Sequence, residues 1–589
     1  MNGDLLSRRE FLGTMGLTVA GLTLPGFGGY RRQSSGEYKG HKWHIDENHL
    51  MWWDGKPYVR FGFTGNGDLA QMLKAGFDQF TLMPSEQWPI SGPDPEIVRS
   101  VNETSDQLEK AGATYYGTLN AFWPWRYGNL VAESDKAAVF IRDVRDVTEH
   151  SAQHLGLDIQ VHLPVHPAER DKVKPERLHA VLFDMEHDKC HDMSDKVESV
   201  VPTVQEPGSE VEREDDERRG GKAFRVRLKS IRFPESTSLR LVIAMEVRLA
   251  GLPGVHGLPA LWKPGIREFY HRSLEAFRSA YAKPGLRGLQ FGDEINTFPL
   301  SLLTARTYLD IRRDEEALKA YRDWLARRFG NIEELNRQFG AHHTSFDQVQ
   351  WKVPLHPFDP ELARSDEDAE REESWDGAKT TWGLAGTSDQ LRTISRVQDE
   401  FRVWLCGRWL AEYAKLAKEM IGNVPVFTCS AGISGAAEQY LAMHRWALCE
   451  GVDGLIRNHY GNGGKEERYT LANLTRWLAK VQQESGCTKH LWANEVGYVR
   501  TNLTDDEWAE AESAELEAGN SFGSQWAFSS KESLREMLLL LSQYGYCGFN
   551  RFLMNPSARR AAQEVKWMAE LRQEIVQYVK NKKGRQSFR

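Results

Sequence analysis

A (β/α)8 barrel carrying a β-rich insertion between its third and fourth units is the fold class this sequence predicts, and three observations predict it. Strand-length apolar runs alternate with helical stretches eight times along the 589 residues, the grammar of a parallel sheet covered by helices. The alternation breaks once, where helical period vanishes over residues 136–249 and strand-like stretches follow one another. No Gly-rich phosphate turn appears, which sets aside the competing doubly wound open sheet.

Taken in order, KPYVRFGFTGNG supplies the first strand, near Tyr58. Leu69 to Lys74 reads as a helix stopped by Gly76, and a strand from Phe77 to Met83 follows. The form repeats with a helix to Lys110, Gly112 as its stop, and a strand from Thr114 to Leu119. AAVFIRDV, LDIQVHLPV, HAVLFDME, KAFRVRLKSIRF and LRLVIAMEVRL then alternate or run apolar for strand lengths, predicting a small sandwich. The charged run Gln205 to Lys222 between two of them reads as a solvated loop. Helical period returns at Pro264 to Tyr281, ahead of a fourth strand around Leu289. Trp324 to Gly340 is helical, 346–393 a long polar loop, and Val397 to Ile421 a helix. Strands near Val426, Leu455, Leu491 and Phe549 complete the eight, and a last helix runs from about Ala561 to Lys580. The expected organisation is a leader at 1–36, a barrel at 40–135 and 250–589, and the insertion at 136–249.

Ser7 to Gly13, SRREFLG, places Arg8 and Arg9 before an apolar run too short to span a bilayer, since a helix needs roughly 20 apolar residues. The pair followed by Phe11 and Leu12 resembles a bacterial twin-arginine export signal. The implied partner is the twin-arginine translocase, and the implied location is periplasmic or extracellular. No later run is long enough for an integral membrane span. A net charge of −8 gives no reason to expect a nucleic-acid partner. The six cysteines are scattered without a C-x-x-C pair, so mostly free, buried thiols are expected. His342 and His343 are adjacent rather than a helical turn apart; neither a metal site nor a cofactor is implied.

In a barrel, polar groups at the C-terminal ends of strands meet in one pocket. LRGLQFGDEINTF ends the fourth strand with Asp293 and Glu294, and KHLWANEVGY ends the seventh with Asn494 and Glu495. Alone, an acidic pair at a strand end reads as solvated. Together, carboxylates from opposed strands can face each other across a substrate. Two of them about 5–5.5 Å apart are what a retaining glycosidase requires, one protonated and one ionised.

The arrangement resembles the clan of retaining glycoside hydrolases that carries an acid/base Glu after strand four and a nucleophile Glu after strand seven. Within it, the chain is most similar to family 42, the β-galactosidases, through WLARRFGNIEELNRQFGAHHTSF (Trp324 to Phe346) and DEFRVWLCGRWLAEY (Asp399 to Tyr413). The resemblance implies Glu294 as acid/base, Glu495 as nucleophile, and Tyr460 of NHYGN as a hydrogen-bond partner of the nucleophile with His459 beside it. Asn66 and Asn120 stand where sugar hydroxyls are bound, and Trp123, Trp125 and Trp492 are candidates for stacking. Each has a plainer alternative: turn formers for the asparagines, a rim residue for Tyr460, packing for the tryptophans. The clan usually has Asn before the acid/base; here Asp293 accepts a hydrogen bond but cannot donate as an amide does. The eighth strand lacks the clan's common Trp and offers Asn550 and Arg551, and the extra C-terminal domains of many family members are not expected. The expected function is therefore cleavage of a β-linked carbohydrate by a divergent, exported relative. The alternatives are a barrel that binds glycans without turning them over, or a β-glycosidase of different sugar specificity acting on polysaccharide fragments.

Overall fold

The structure, a computed structural model, describes residues 34–64, 69–82, 94–119, 138–163, 175–203 except 188, 222–248, 264–291, 307–357 except 313, 314 and 354, 388–461 except 431–444 and 446, 465–498, 528, 530–552 and 559–581. The chain divides into two compact units. One comprises Tyr30–Tyr127, Pro264–Phe298 and Val403–Arg589, and the other takes in Gly128–Lys263 and Pro299–Arg402 with Met1–Gly29.

The first unit is the barrel. Its eight strands are Arg60–Thr64, Gln79–Leu82, Thr114–Leu119, Leu286–Phe291, Val426–Ser430, Gly454–Gly461, His490–Tyr498 and Gly548–Phe552. Their order in the sheet runs one, eight, seven, six, five, four, three, two, and each neighbouring pair is parallel. Strands one and two close the ring: the Phe61 amide donates to Gln79 Oε1 at 2.8 Å. A Cβ on Gly62 would lie 2.7 Å from the Gln79 carbonyl oxygen, so only glycine fits that approach. The helices obey local signals. Asp94 caps Pro95–Lys110 by accepting from the Glu96 amide, and Ser530 and Ser533 form a reciprocal capping box before Lys531–Gln543. Gly76 (φ +87°) and Gly112 (φ +68°) end their helices in the left-handed region. No described helix is long and apolar enough to cross a membrane.

Ahead of the barrel stands an element the sequence reading did not anticipate. Ser35–Tyr38, His41–Ile45, Met51–Trp53 and Lys56–Tyr58 form a four-stranded antiparallel meander. The run read as one strand near Tyr58 is thus divided: Lys56–Tyr58 belongs to the meander, and the barrel strand starts at Arg60. The meander attaches where barrel strands begin. The Trp43 indole donates to Asn423 O at 2.7 Å, His49 Nδ1 bonds Lys489 O at 2.7 Å, and His490 Nδ1 bonds His49 O at 2.8 Å.

The second unit holds the insertion as a two-layer sandwich. Lys189–Asp192, Pro175–Asp184, Leu239–Arg248, Ala138–Asp146 and Thr307–Asp310 make one antiparallel sheet in that order; Val197–Thr203, Lys222–Arg232 and His154–Leu163 make the other. Between the layers, Ile159, Val161, Leu182, Phe224, Val226, Leu228, Leu241, Ile243 and Met245 form an apolar core, with Arg225 and Arg227 alternating outward. The unit reaches beyond 136–249 in two ways. Thr307–Asp310 adds an edge strand, and Leu355 with Val353 covers the second face through Val144, Val181, Phe183, Val242 and Ala244. The stretch from 346, expected to be a long polar loop, therefore contains buried packing residues, Trp351 and Leu355 among them. Its His356 accepts from the buried Arg142 guanidinium through its carbonyl oxygen at 2.8 Å.

The Trp324–Phe346 segment folds as two helices, Glu315–Phe329 and Ile332–Phe339. Asn331 caps the second through the Glu334 amide at 2.8 Å, and the Phe329 and Phe339 rings meet edge to face. The helix expected from Val397 begins earlier, at Ser388.

Candidate active site

Glu495 lies within the seventh barrel strand and is 6% exposed. Its Oε2 accepts a 2.6 Å hydrogen bond from the Tyr460 hydroxyl of the sixth strand. A hydrogen bond of this length fixes the carboxylate's orientation.

Backbone register explains how Glu495 comes to be aimed there. Regular pairing matches Arg457 with Ala493, but the next pair is Asn458 with Glu495, so Asn494 is an extra residue. The eighth strand records the same insertion, with Ala493 opposite Phe549 and Val496 opposite Arg551. A bulge of this kind interrupts strict alternation and re-aims the side chain beside it.

Asn494 itself is fully buried. Thr64 Oγ1 stands 2.7 Å from the Asn494 carbonyl oxygen and 2.8 Å from Oδ1. Asn550 Nδ2 donates to Thr64 Oγ1 at 2.9 Å and to Asn494 Oδ1 at 3.3 Å. These bonds join the first, seventh and eighth strands. One terminal amide atom of each asparagine, Asn494 Nδ2 and Asn550 Oδ1, is left buried without a hydrogen-bond partner among the described residues.

Below this layer the barrel interior holds packed rings and the Arg60 guanidinium. Trp492 packs on Tyr116, with centroids 4.8 Å apart, and on Phe427 at 6.3 Å. The Arg60 guanidinium lies 4.6 Å from the Tyr116 ring and 4.8 Å from the Trp492 ring. Burial lowers the pKa of Arg60 and raises that of the Tyr116 phenol well above its ordinary value. Thr118 and Gln290, paired in register on strands three and four, are fully buried as well.

The sequence-derived candidates divide into three groups. Tyr460, Glu495 and Asn494 are brought together, but His459 is not: it pairs in register with Val496, which pairs with Arg551, so it shares their outward face, 1% exposed and with its ring 6.3 Å from that of Tyr546. Trp492 and Arg551 are placed elsewhere. The Trp492 indole is fully buried in the barrel's packed interior, which answers to its packing alternative rather than to stacking at a rim. Arg551 follows Asn550, and alternation turns it from the interior toward the last helix. Its Nε donates to the buried Glu564 at 2.6 Å and its Nη1 to Val496 O at 3.0 Å. Asn66, Asn120, Trp123, Trp125, Asp293 and Glu294 lie outside the described residues, as do residues 1–33 of the segment expected to be a leader at 1–36; Ser35 and Gly36 of that segment belong to the first meander strand. Sequence reasoning missed Thr64, a lone hydroxyl at a strand end, and named Asn550 beside Arg551 without separating which of the two faces inward. The inward period of the eighth strand is the signal that finds Asn550. Cys190, Cys429, Cys449, Cys487 and Cys547 are free thiols.

No protein-family model matches the chain, and no curated protein matches it in sequence. Among solved structures, the chain is similar to the β-galactosidase of Bacillus circulans sp. alkalophilus, with 9% identity, a TM-score of 0.42, and coverage of 89% of this chain and 57% of that one. It is also similar to the β-galactosidase of the psychrophilic Marinomonas ef1, with 15% identity, a TM-score of 0.32, and coverage of 54% and 44%. The agarase AgWH50C aligns at 13% identity and a TM-score of 0.33, covering 55% of this chain and 42% of that one. The match thus spans less than half the length of the Marinomonas and agarase chains. The (β/α)8 barrel itself stands on the strand order and parallel pairing of this molecule.

Proposed function

We propose that this protein is a retaining glycoside hydrolase that cleaves a β-linked sugar, with Glu495 as nucleophile and Glu294 as acid/base. The observation that carries the reading is the 2.6 Å hydrogen bond from the Tyr460 hydroxyl to a buried carboxylate on the seventh strand of an eight-stranded barrel. In the first step Glu495 attacks the anomeric carbon while Glu294 gives its proton to the departing oxygen, and a covalent glycosyl-enzyme forms. In the second, Glu294 takes a proton from water, the water oxygen attacks the same carbon, and the bond to Glu495 breaks. Tyr460 keeps the attacking oxygen oriented and balances its charge as that charge is transferred to the sugar. The ligand class is an oligosaccharide or polysaccharide fragment, and the family resemblance favours a galactose-like unit. Export by the twin-arginine route places the activity outside the cytoplasm. A barrel that binds glycans without turnover is the second reading. It needs neither a buried nucleophile nor a tyrosine holding it.

The test is a screen of the purified protein against chromogenic β-glycosides and algal or plant oligosaccharides, followed by azide rescue of variants. Glu294→Ala should keep forming the intermediate from activated substrates and yield a β-glycosyl azide. Glu495→Ala should yield the α-azide by direct attack on the opposite face. The reverse pattern would exchange the two roles. Binding of oligosaccharide with no turnover of any substrate would favour the second reading.

A further inference from the structure

The nucleophile's neighbours raise a question that its own hydrogen bond leaves open. A strand carrying a bulge has lost local ladder bonds, and its position must be held by something else. Thr64 and Asn550 do the holding here. A single Thr64 hydroxyl proton is shared between the carbonyl and the side-chain oxygen of the bulged residue, at 2.7 and 2.8 Å. Asn550 Nδ2 supports that hydroxyl at 2.9 Å and the same side-chain oxygen at 3.3 Å. All three residues are buried, with at most 1% exposure.

The network is costly as a purely structural device. It leaves an amide donor on Asn494 and an amide oxygen on Asn550 buried without partners among the described residues, and a buried polar group without a partner destabilises the fold. Apolar residues of similar shape would avoid that cost, as they do in the sandwich core of the same chain. Tolerated local cost beside a reacting group is the mark of a functional constraint. We infer that Thr64 and Asn550 are positioning residues: they pin the Asn494 bulge and thereby fix the aim of Glu495 at Tyr460. The inference rests on the reading of Glu495 as the attacking carboxylate, and it names residues of strands one and eight whose hydrogen bonds run to Asn494, to Thr81 and to each other rather than to Glu495.

Three variants test it. Thr64→Val removes the hydroxyl at nearly constant shape. Asn550→Asp keeps the shape and sets acceptor oxygens against Asn494 Oδ1. Thr64→Ser is the conservative rescue. On a β-glycoside the wild type turns over, Thr64→Val and Asn550→Asp should each lose about 100-fold in kcat, the loss expected of a reacting group displaced by an ångström. KM should stay within about 2-fold, since the lost interaction acts in the transition state, and Thr64→Ser should return most of the activity. Unchanged kcat per folded molecule, with only the melting temperature lowered, would overturn the inference and leave a structural role. Glu495→Ala, assayed in parallel, separates the two ideas. If that variant is inactive while Thr64→Val keeps full kcat, only the positioning inference fails; if Glu495→Ala turns over like the wild type, the mechanism itself fails. A second arm needs no substrate. In crystal structures of the two variants the Glu495 carboxylate should have left the Tyr460 hydroxyl, and retention of the 2.6 Å bond with the bulged register in both would overturn the inference. Should Thr64→Val not fold, Asn550→Asp decides by the same criteria.

Discussion

The two interiors of this molecule are built on opposite rules. Between the sandwich layers, Phe224, Val226, Leu228, Leu241 and Ile243 meet without a polar atom among their side chains. Inside the barrel, the corresponding inward positions carry Thr64, Thr118, Gln290, Asn494 and Asn550, all fully or almost fully buried. Apolar filling is the cheaper way to stabilise an interior, because each buried amide or hydroxyl must recover the hydrogen bonds it had with water. Ordinary barrels fill their layers with branched aliphatics. A barrel that gives up such packing beside one buried carboxylate is organised around that carboxylate, whereas the sandwich is organised around its own stability.

The sharpest way to break this comparison is to remove the carboxylate. Glu495→Ala should lower kcat by at least about 10⁴-fold, the scale of losing a covalent nucleophile. Its melting temperature should remain near that of the wild type. Substantial residual turnover of an unactivated substrate would mean that the polar interior serves something other than this residue.

The reciprocal change belongs in the sandwich. Val226 is fully buried, and Val226→Asn places there an amide of the kind the barrel tolerates. It should cost roughly 2–3 kcal/mol by leaving that amide unpartnered. Denaturant unfolding measures the loss, and kcat per folded molecule should not change. If Val226→Asn is instead neutral in stability, the contrast between the interiors is not energetic.

How much of this was legible in the sequence depends on how local each signal is. The eight barrel strands are legible because each is a short apolar run closed by a turn residue or a helix. The strand Leu239–Arg248 is legible as a continuous apolar run because both its faces are buried, 241, 243 and 245 on one side and 242 and 244 on the other. Glu495 is read from its place at the end of the seventh strand and Tyr460 through the family resemblance, and the structure brings them into contact. The bulge at Asn494 was not legible, since HLWANEVGY gives no sign that alternation stops in its middle. Nor was the role of Thr64, which depends on partners more than 400 residues away in sequence. Thr307–Asp310 and Leu355 join the sandwich across shorter but still long gaps in the chain, which no local period reports. The N-terminal meander is a different failure, because its signal was present. Asp54 and Gly55 both have positive φ, +50° and +72°, in a two-residue turn between Trp53 and Lys56, the arrangement that favours Asp-Gly in hairpins. Gly55→Ala should therefore cost about 1 kcal/mol, read as a small drop in melting temperature with activity untouched. A neutral result would mean that the turn does not hold the meander's register.

The smallest expected effect makes the finest test of the comparison. The Thr118 hydroxyl is buried in the barrel without a hydrogen-bond partner among the described residues, and its backbone oxygen is separately engaged by the Tyr281 hydroxyl at 3.0 Å. Thr118→Val exchanges that hydroxyl for a methyl of nearly the same volume and leaves the backbone contact alone. Where a buried polar group has no partner, replacing it by an apolar group of the same shape is neutral or stabilising, so the variant should unfold within about 1 kcal/mol of the wild type and on the more stable side. In an interior selected for stability alone, valine would be the better residue at this position. A gain in stability accompanied by a loss in kcat/KM on the wild-type substrate would show that the hydroxyl is kept for function. A loss in stability of more than about 2 kcal/mol, beyond what a single satisfied neutral hydrogen bond contributes, would show that Thr118 is an ordinary, fully paired core residue, and the polar character of the barrel interior would then need a structural explanation.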